Sequence, residues 1–395
     1  MSALRTILVA APLLLLLAAS ADEPRAILPD GSRKQVSMKD LASLGDTSWP
    51  GWIALDLPAS RDPLVRQDSV MAMQDGQRVR GQFEPVAQGL RWRSAAIGSV
   101  RVDLEHVAWI GEPEMFSNRS TTRDEVHFLN GDRLEGFIQS IDSDHGIRIE
   151  VSRGEGATER SMVDHDLSRV AAVRFASRPE PATGWRFWLQ DGSMIDADSW
   201  SAQGDRVVIR GMHLPSAPPS AAVPWNQITG IRRAPGGLVA LAELPWSSSD
   251  VPGSPRLAPA CVSVPAGIHA LGLAPLDLHG PGVFEAALPD GPFILDGELT
   301  VPPGLASSVD CTVVLLDGAR ELLRTRLKAP TQPVPVHAEL SSGRLVVRIE
   351  DSARGAYGAA ARMSGSLLLP KVIGSPGSSD RPEAAPANTP VPAAQ

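Results

Sequence analysis

Few stretches of this 395-residue chain bring ionisable side chains together at spacings that could support chemistry. Val163 to Ser168 (VDHDLS) sets Asp164, His165 and Asp166 in a row. A metal ion accepts carboxylate and imidazole donors, but a site here would need further ligands from elsewhere in the fold. Three consecutive polar residues on their own read as a turn. Ser140 to Gly146 (SIDSDHG) has the oxygen-rich rhythm of a calcium loop. Its glycine falls one residue early, and the twelfth position is Arg153 where a bidentate Glu is needed, so this too reads as a turn. Gly131-Asp132-Arg133 sits at the tip of "FLNGDRLEGFIQSI" (Phe128 to Ile141). Two related stretches carry Gly76-Gln77-Arg78 and Gly192-Ser193-Met194 instead. Charge, amide and thioether do not serve one ligand, so the cluster is expected to shape a turn.

Aromatic side chains are the other candidates. Trp185, Phe187 and Trp188 cluster in "WRFW", with Trp200 and Trp225 nearby. Exposed tryptophan faces stack on the apolar C–H faces of sugar rings, whereas buried ones fill the core of a small barrel. The core reading is the stronger one, and Trp185, Trp188 and Trp200 remain ligand-stacking candidates. His269, His279 and Tyr357 could line a ligand cleft nearer the C-terminus, although lone histidines are more often structural. Trp49 and Trp52 in "SWPGW" are expected to staple a loop. Cys261 and Cys311 are the only cysteines. In an oxidising compartment they could pair, or they could sit as two separate buried thiols, and sequence alone leaves both open. No Cys/His spacing suggests zinc. The motifs G-x-S-x-G, H-E-x-x-H, the phosphate-binding loop and the dinucleotide fingerprint are all absent. The expectation is therefore a non-enzyme with no catalytic residue, no metal and no cofactor. Paired carboxylates for glycan hydrolysis would be recognised only by their separation in space.

The elements that must position these residues are short strands. Gly and Pro number 35 each and aromatics make up 5%, which suits many turns and few long helices. The formal charge is −8 and no basic block occurs, which argues against a nucleic-acid surface. Arg5, an apolar run from Ile7 to Ala19, and Ala19-Ser20-Ala21 before Asp22-Glu23 form the pattern of an export signal cleaved between Ala21 and Asp22. That run is too short to span a bilayer comfortably. The mature protein is expected to be exported (secreted, periplasmic or on the cell surface) and not integral to a membrane.

Three contexts repeat: "SVMAMQDGQRVRGQF" (Ser69 to Phe83), "EVHFLNGDRLEGFI" (Glu125 to Ile138) and "RFWLQDGSMIDADSW" (Arg186 to Trp200). Asp-Gly or Asn-Gly supplies the positive φ of a hairpin turn. Alternating strands follow, such as Ile147, Ile149 and Val151 against Arg148 and Glu150. Each unit closes on apolar residues three apart: Leu104, Val107 and Ile110; Leu167, Val170 and Val173; Trp225, Ile228 and Ile231. "AILPDGSRKQV" (Ala26 to Val36) is a candidate decayed fourth copy. The pattern hydrophobic-x-[DN]-G-x-x-hydrophobic-x-G, then a strand, then L-x-x-V-x-x-I, resembles the small Sm-like or SH3-like β-barrel repeats of exported bacterial proteins. Gly81 and Gly136 match its second glycine, and Ala197 stands there in the third unit.

From Pro235 onward short strands alternate with turn signals, the texture of a β-sandwich. "GIHA" (Gly267 to Ala270), Asp317-Gly318 after an apolar strand, and "LSSGRLVVRIEDS" resemble the NPCBM module. The resemblance implies a galactose-binding-like jelly roll of the kind that accompanies secreted glycoside hydrolases. The Asp and Trp common near that family's last strand have no counterpart in "GAYGAAARMSGSLLL", so the fold is implied more strongly than sugar binding. The chain is thus read as all-β. The expected divisions are a signal peptide (1–21), an N-terminal segment (22–68), three barrel-like repeats (69–111, 124–176, 184–233), a linker with a jelly-roll sandwich (234–372) and a disordered tail (373–395). The expected partner is a glycan or a cell-envelope protein, with the oligomeric state left open.

Overall fold

The computed structural model describes residues 23–42, 51–57, 69–86, 89–112, 121–152, 160–176, 178, 180–214, 216–234, 238–250, 259–263, 269–305, 308–328, 332–350 and 358–371. The expected cleavage site Ala21/Asp22, Trp49, Tyr357 and the C-terminal tail lie outside them. The described residues are almost entirely antiparallel strands, with one short helix, α1 (Met38–Ala42).

An N-terminal hairpin, β1 (Arg25–Ile27) and β2 (Arg33–Gln35), is joined by β3 (Ala54–Asp56). A first five-stranded unit follows: β4 (Ser69–Met73), β5 (Arg78–Val86), β6 (Gly89–Ser94), β7 (Gly98–Val102) and β8 (Val107–Gly111). The second is β9 (Asp124–Phe128), β10 (Arg133–Asp142), β11 (Gly146–Ser152), β12 (Arg160–His165) and β13 (Val170–Arg174). The third is β14 (Gly184–Leu189), β15 (Met194–Gln203), β16 (Arg206–Met212), β17 (Ser220–Pro224) and β18 (Ile228–Ala234). In each, the first four strands pair in succession and the fifth returns to the first: β8 to β4, β13 to β9, β18 to β14. A single turn of 3-10 helix precedes every fifth strand. Asp103 and Asp166 cap the first two of these turns through the backbone N–H groups of Glu105 and Ser168.

Local chemistry explains the repetition. The glycine at each hairpin tip has a φ of +85° to +90° (Gly76, Gly131, Gly192), and so does Gly31 at +86°. The residue before it is Asp or Asn, whose side-chain oxygen accepts the N–H two residues on. These bonds are Asp75 to Gln77 (3.0 Å), Asn130 to Asp132 (3.1 Å), Asp191 to Ser193 (2.8 Å) and Asp30 to Ser32 (2.9 Å). A second glycine has a different task. The long strands β5 and β10 switch partners at Gly81 and Gly136, where a Cβ would lie 2.3 Å from the carbonyl oxygens of Arg93 and Glu150. In the third unit Ala197 occupies that position, and the close approach is made by Gly184 of the neighbouring strand, where a Cβ would lie 2.3 Å from the Ala197 oxygen.

Units join through their closing strands. β8 and β13 pair antiparallel about Ile110 and Val173, and β18 and β3 pair about Ile231 and Leu55. The first and third units also meet where Arg78 of β5 faces Met194 of β15. Behind that contact Arg186 donates to both oxygens of Asp196 at 2.7 Å and to the Asp75 carbonyl at 2.9 Å. Gln77, fully buried, accepts the Asp196 N–H at 2.7 Å. Burial works against the charged form of Arg186, but Asp196, Glu243 and Asp75 hold its pKa above the usual value.

The C-terminal region is a two-sheet sandwich. Its strands are β19 (Val239–Ala240), β20 (Trp246–Ser249), β21 (Ala260–Ser263), β22 (Leu276–His279), β23 (Gly282–Ala287), β24 (Phe293–Thr300), β25 (Asp310–Asp317), β26 (Arg320–Lys328), β27 (Val334–Leu340), β28 (Arg344–Glu350) and β29 (Ala360–Pro370). One sheet runs β21-β22-β29-β24-β27 with β19 on β29, and the other runs β20-β23-β28-β25-β26. Leu278, Leu295, Val313, Val347 and Ile349 are among the residues that fill the space between them. At the β25–β26 turn, Asp317 is 4% exposed and accepts hydrogen bonds from Ser341, Ser342 and Arg320. Burial alone would raise its pKa, but the bonds from Ser342, Ser341 and Arg320 outweigh it and bring it down to about 2. Its unfolded value is near 3.8. The carboxylate therefore stabilises the fold above that pH, by about 2 kcal/mol, and this contribution is lost as pH falls toward 2. Urea titrations between pH 6 and pH 2 should show that loss, and Asp317→Asn should be less stable near neutrality with a flatter acid limb.

β29 connects the two halves of the molecule. A bulge at Gly365 and Ser366 sets two residues opposite Gly297 and reverses which side chains face inward. Before it Ala361 and Met363 point into the sandwich; after it Leu368 does, while Leu367 and Leu369 turn outward. They pack with Leu271 against Ile27 and Ala54 of the N-terminal strands and Trp188 and Met194 of the third unit. Leu271 is fully buried with a φ of +60°, a costly conformation for a branched side chain, kept where it seals the joint.

Candidate functional site

Two of the stacking candidates are core residues. Trp200 is 7% exposed and meets Trp185, Phe187 and Trp225 edge to face, with ring centroids 6.0–6.4 Å apart. Trp188 is 1% exposed at the barrel–sandwich joint, with the Arg232 guanidinium 5.1 Å over its ring. Neither offers a face to a sugar. Trp185 is half-buried and leans on Trp200. Trp52 packs against the barrel core. Of the two arrangements the sequence left open for Cys261 and Cys311, the structure has free thiols, on strands of opposite sheets, β21 and β25. Burial pushes both pKa values up to about 11, and the Cys311 Sγ–H reaches the Ala360 carbonyl at 3.5 Å.

The polar clusters make local hydrogen bonds. Asp164 is held by Arg148 at 2.8 and 3.0 Å, and Asp166 caps a helical turn. Asp142 accepts the N–H groups of Asp144 and His145. Asn130, Gly131, Asp132 and Arg133 are exposed at their hairpin tip. Among the described residues no group of three or more His, Cys, Asp or Glu side chains is arranged to hold a metal ion.

What the structure does assemble is a polar strip on the outer face of the sandwich. On β22, Leu276 and Leu278 are buried while Asp277 and His279 face out. On β29, Ala361 and Met363 are buried while Arg362 faces out. The register places Asp277 opposite Arg362, and the two join by two hydrogen bonds of 2.6 and 2.7 Å. This pairing raises the pKa of Arg362. His269 enters the same surroundings from the turn before β22. Burial, then the charge on Arg362, lowers its pKa, so the imidazole is neutral near pH 7 with one donor and one acceptor. Ser364 and Thr300 continue the strip, their hydroxyls 3.5 Å apart, and Glu298 is exposed beyond them. Such a surface can hydrogen-bond a polar ligand without reacting with it. Asp277 and Arg362 escaped sequence reasoning, although their alternation with buried neighbours was visible.

A concavity of about 610 Å³ lies between the first and third units and is lined by Asp75, His106, Glu180, Thr183 and His213 among others. There His213 bridges Asp198 (2.8 Å) and Thr183 (3.4 Å). Among the described residues no helix is long and apolar enough to cross a membrane.

No family model matches this chain, and no curated protein matches it. Among solved structures, the CBM51-2 and INT domains of Clostridium perfringens ZmpB are 9% identical over 42% of this chain and 36% of that one, at a TM-score of 0.28. The chain thus spans about a third of that structure's length. The CBM51 module of Clostridium perfringens GH95, in complex with methyl-galactose, is 13% identical over 33% of this chain and 99% of its own, at 0.25. Tandem CBM51 modules of a family 98 glycoside hydrolase from Streptococcus pneumoniae are 8% identical over 76% and 88%, at 0.26. Likenesses of this size leave the functional reading to the chain's own residues.

Proposed function

We propose that this is an exported, non-catalytic protein of β-modules whose C-terminal sandwich binds a glycan or another polar component of the cell envelope. The three closed units are Sm-like barrels that act as spacers and docking bodies. The observation that carries this reading is the outward strip of Asp277, Arg362, His269 and His279. Planar, paired donors and acceptors on a shallow sheet face suit the hydroxyls of a sugar, which need many directional hydrogen bonds and no deep cavity.

A glycan array and polysaccharide pull-down on the chain from Asp22 tests it. Saturable retention that falls about tenfold in His279→Ala and Arg362→Gln, with an unchanged circular dichroism spectrum, is the expected result. Retention equal in the variants moves the site elsewhere. A folded wild-type protein that retains no glycan overturns the reading.

A second reading, a protein–protein adaptor of the envelope, is favoured by one observation. Leu129, Phe137 and Met162 are 70%, 46% and 53% exposed, and all three belong to the middle barrel.

A further inference from the structure

The middle barrel differs from its sisters in what it leaves uncovered. Phe137 on β10 and Met162 on β12 both stand opposite Glu150 of β11, one from each side. The three form a single row across the barrel's outer face. β12 pairs along its whole length with β11, and among the described residues no strand pairs with its other edge. The equivalent strands are blunted. β7 presents Ser99 and Arg101 outward, and β17 carries Pro224. Charge and proline are the usual protection of a bare edge. β12 instead presents Arg160, Met162 and Asp164, a cation, an apolar group and an anion at alternate positions. Turned about a two-fold axis through Met162, this row matches itself: Arg160 falls opposite Asp164, and Met162 opposite Met162.

We propose that the free edge of β12 is a self-association site, at which a second copy of the chain adds its own β12 antiparallel in that register. The backbone groups of the edge then find partners, the two thioethers meet on the axis, and two cross-strand ion pairs flank them. Within one copy Arg160 contacts Glu150 at 2.9 Å and Arg148 contacts Asp164 at 2.8 Å. Arg160 remains 70% exposed and Asp164 43%, so both keep hydrogen-bonding capacity toward the edge. Phe137 lies beyond Glu150 on each side. Self-complementarity is the requirement of a two-fold interface. The fold already joins its units this way, antiparallel about the matching residues Ile110 and Val173 of β8 and β13.

Sedimentation and light scattering on the chain from Asp22 test the proposal. The wild type should be a dimer. Met162→Lys and Met162→Glu each set like charges opposite one another on the axis, and each should raise the dissociation constant about tenfold or more with an unchanged circular dichroism spectrum. An equimolar mixture of the two variants should dimerise again, because lysine then meets glutamate. A wild type that stays monomeric at about 100 µM overturns the proposal. So does a dimer indifferent to both substitutions, or a mixture of the two variants that stays monomeric.

Discussion

Asp196→Ala should cost the protein about 3–5 kcal/mol, seen as a fall in the urea midpoint at unchanged slope. The carboxylate is fully buried and holds Arg186 through both oxygens. Its removal leaves a buried guanidinium in the contact between the first and third units without its hydrogen-bonded counter-charge, while Glu243 and Asp75 act on it only through space. The Asp75 carbonyl, 2.9 Å away, retains one bond, which does not offset the loss of two charged ones. Removing both partners tells the two halves of this cost apart. Asp196→Leu with Arg186→Met takes away the charge as well as its counter-charge and should recover most of the stability. A double variant no better than Asp196→Ala would mean that the pair's contribution is shape rather than charge. Glu339→Ala is the control: its pair with Lys371 is open to solvent and should shift the midpoint little.

Gly136→Ala is the second large effect. A methyl group there would sit 2.3 Å from the Glu150 carbonyl oxygen and 2.8 Å from Ile149. The obstacle is backbone in the middle of a sheet, so β10 must move away from β11 and the middle barrel opens. A loss of about 3 kcal/mol is expected, with faster amide exchange in β10 and β11 than in the sandwich. Gly131→Ala, five residues earlier, meets nothing within 4 Å and suffers only from its φ of +88°, about 1 kcal/mol. If the two variants were equally unstable, φ rather than close approach would be the common cause.

The turns were legible because their chemistry is local. Asp or Asn followed by a φ-positive glycine needs nothing from the rest of the chain, and the four tips at Gly31, Gly76, Gly131 and Gly192 share one hydrogen-bond pattern. Strand alternation was legible for the same reason, and with it the all-β class. The tryptophans were ambiguous because exposure is a tertiary property. A barrel core and a sugar platform want the same side chain, and only the T-shaped packing around Trp200 and the joint over Trp188 decide between them. The thiols were ambiguous because pairing depends on which sheet each strand enters. Leu367, Leu368 and Leu369 looked like one apolar run. The bulge at Gly365 that sends them to two different cores leaves only a short Ser-Gly-Ser trace in the sequence. Asp277 and Arg362, 85 positions apart, meet only through strand register.

The place of β29 also dictates an order of events as the chain is made. It is the eleventh strand of the sandwich in sequence, yet it lies between β22 and β24 in the sheet. Until residue 370 has been added, β22 and β24 have no neighbour to join them, and Leu276, Leu278, Leu295 and Leu299 have no completed core to enter. Each five-stranded unit pairs its fifth strand with its first within about 50 residues and can be finished early. The sandwich is a late, long-range closure, the kind that forms slowly. A growing chain therefore carries finished repeats followed by one complete sheet and two separate pairs, β21–β22 and β24–β27, whose apolar faces have not yet closed into a core, a natural substrate for a holding chaperone until synthesis is complete.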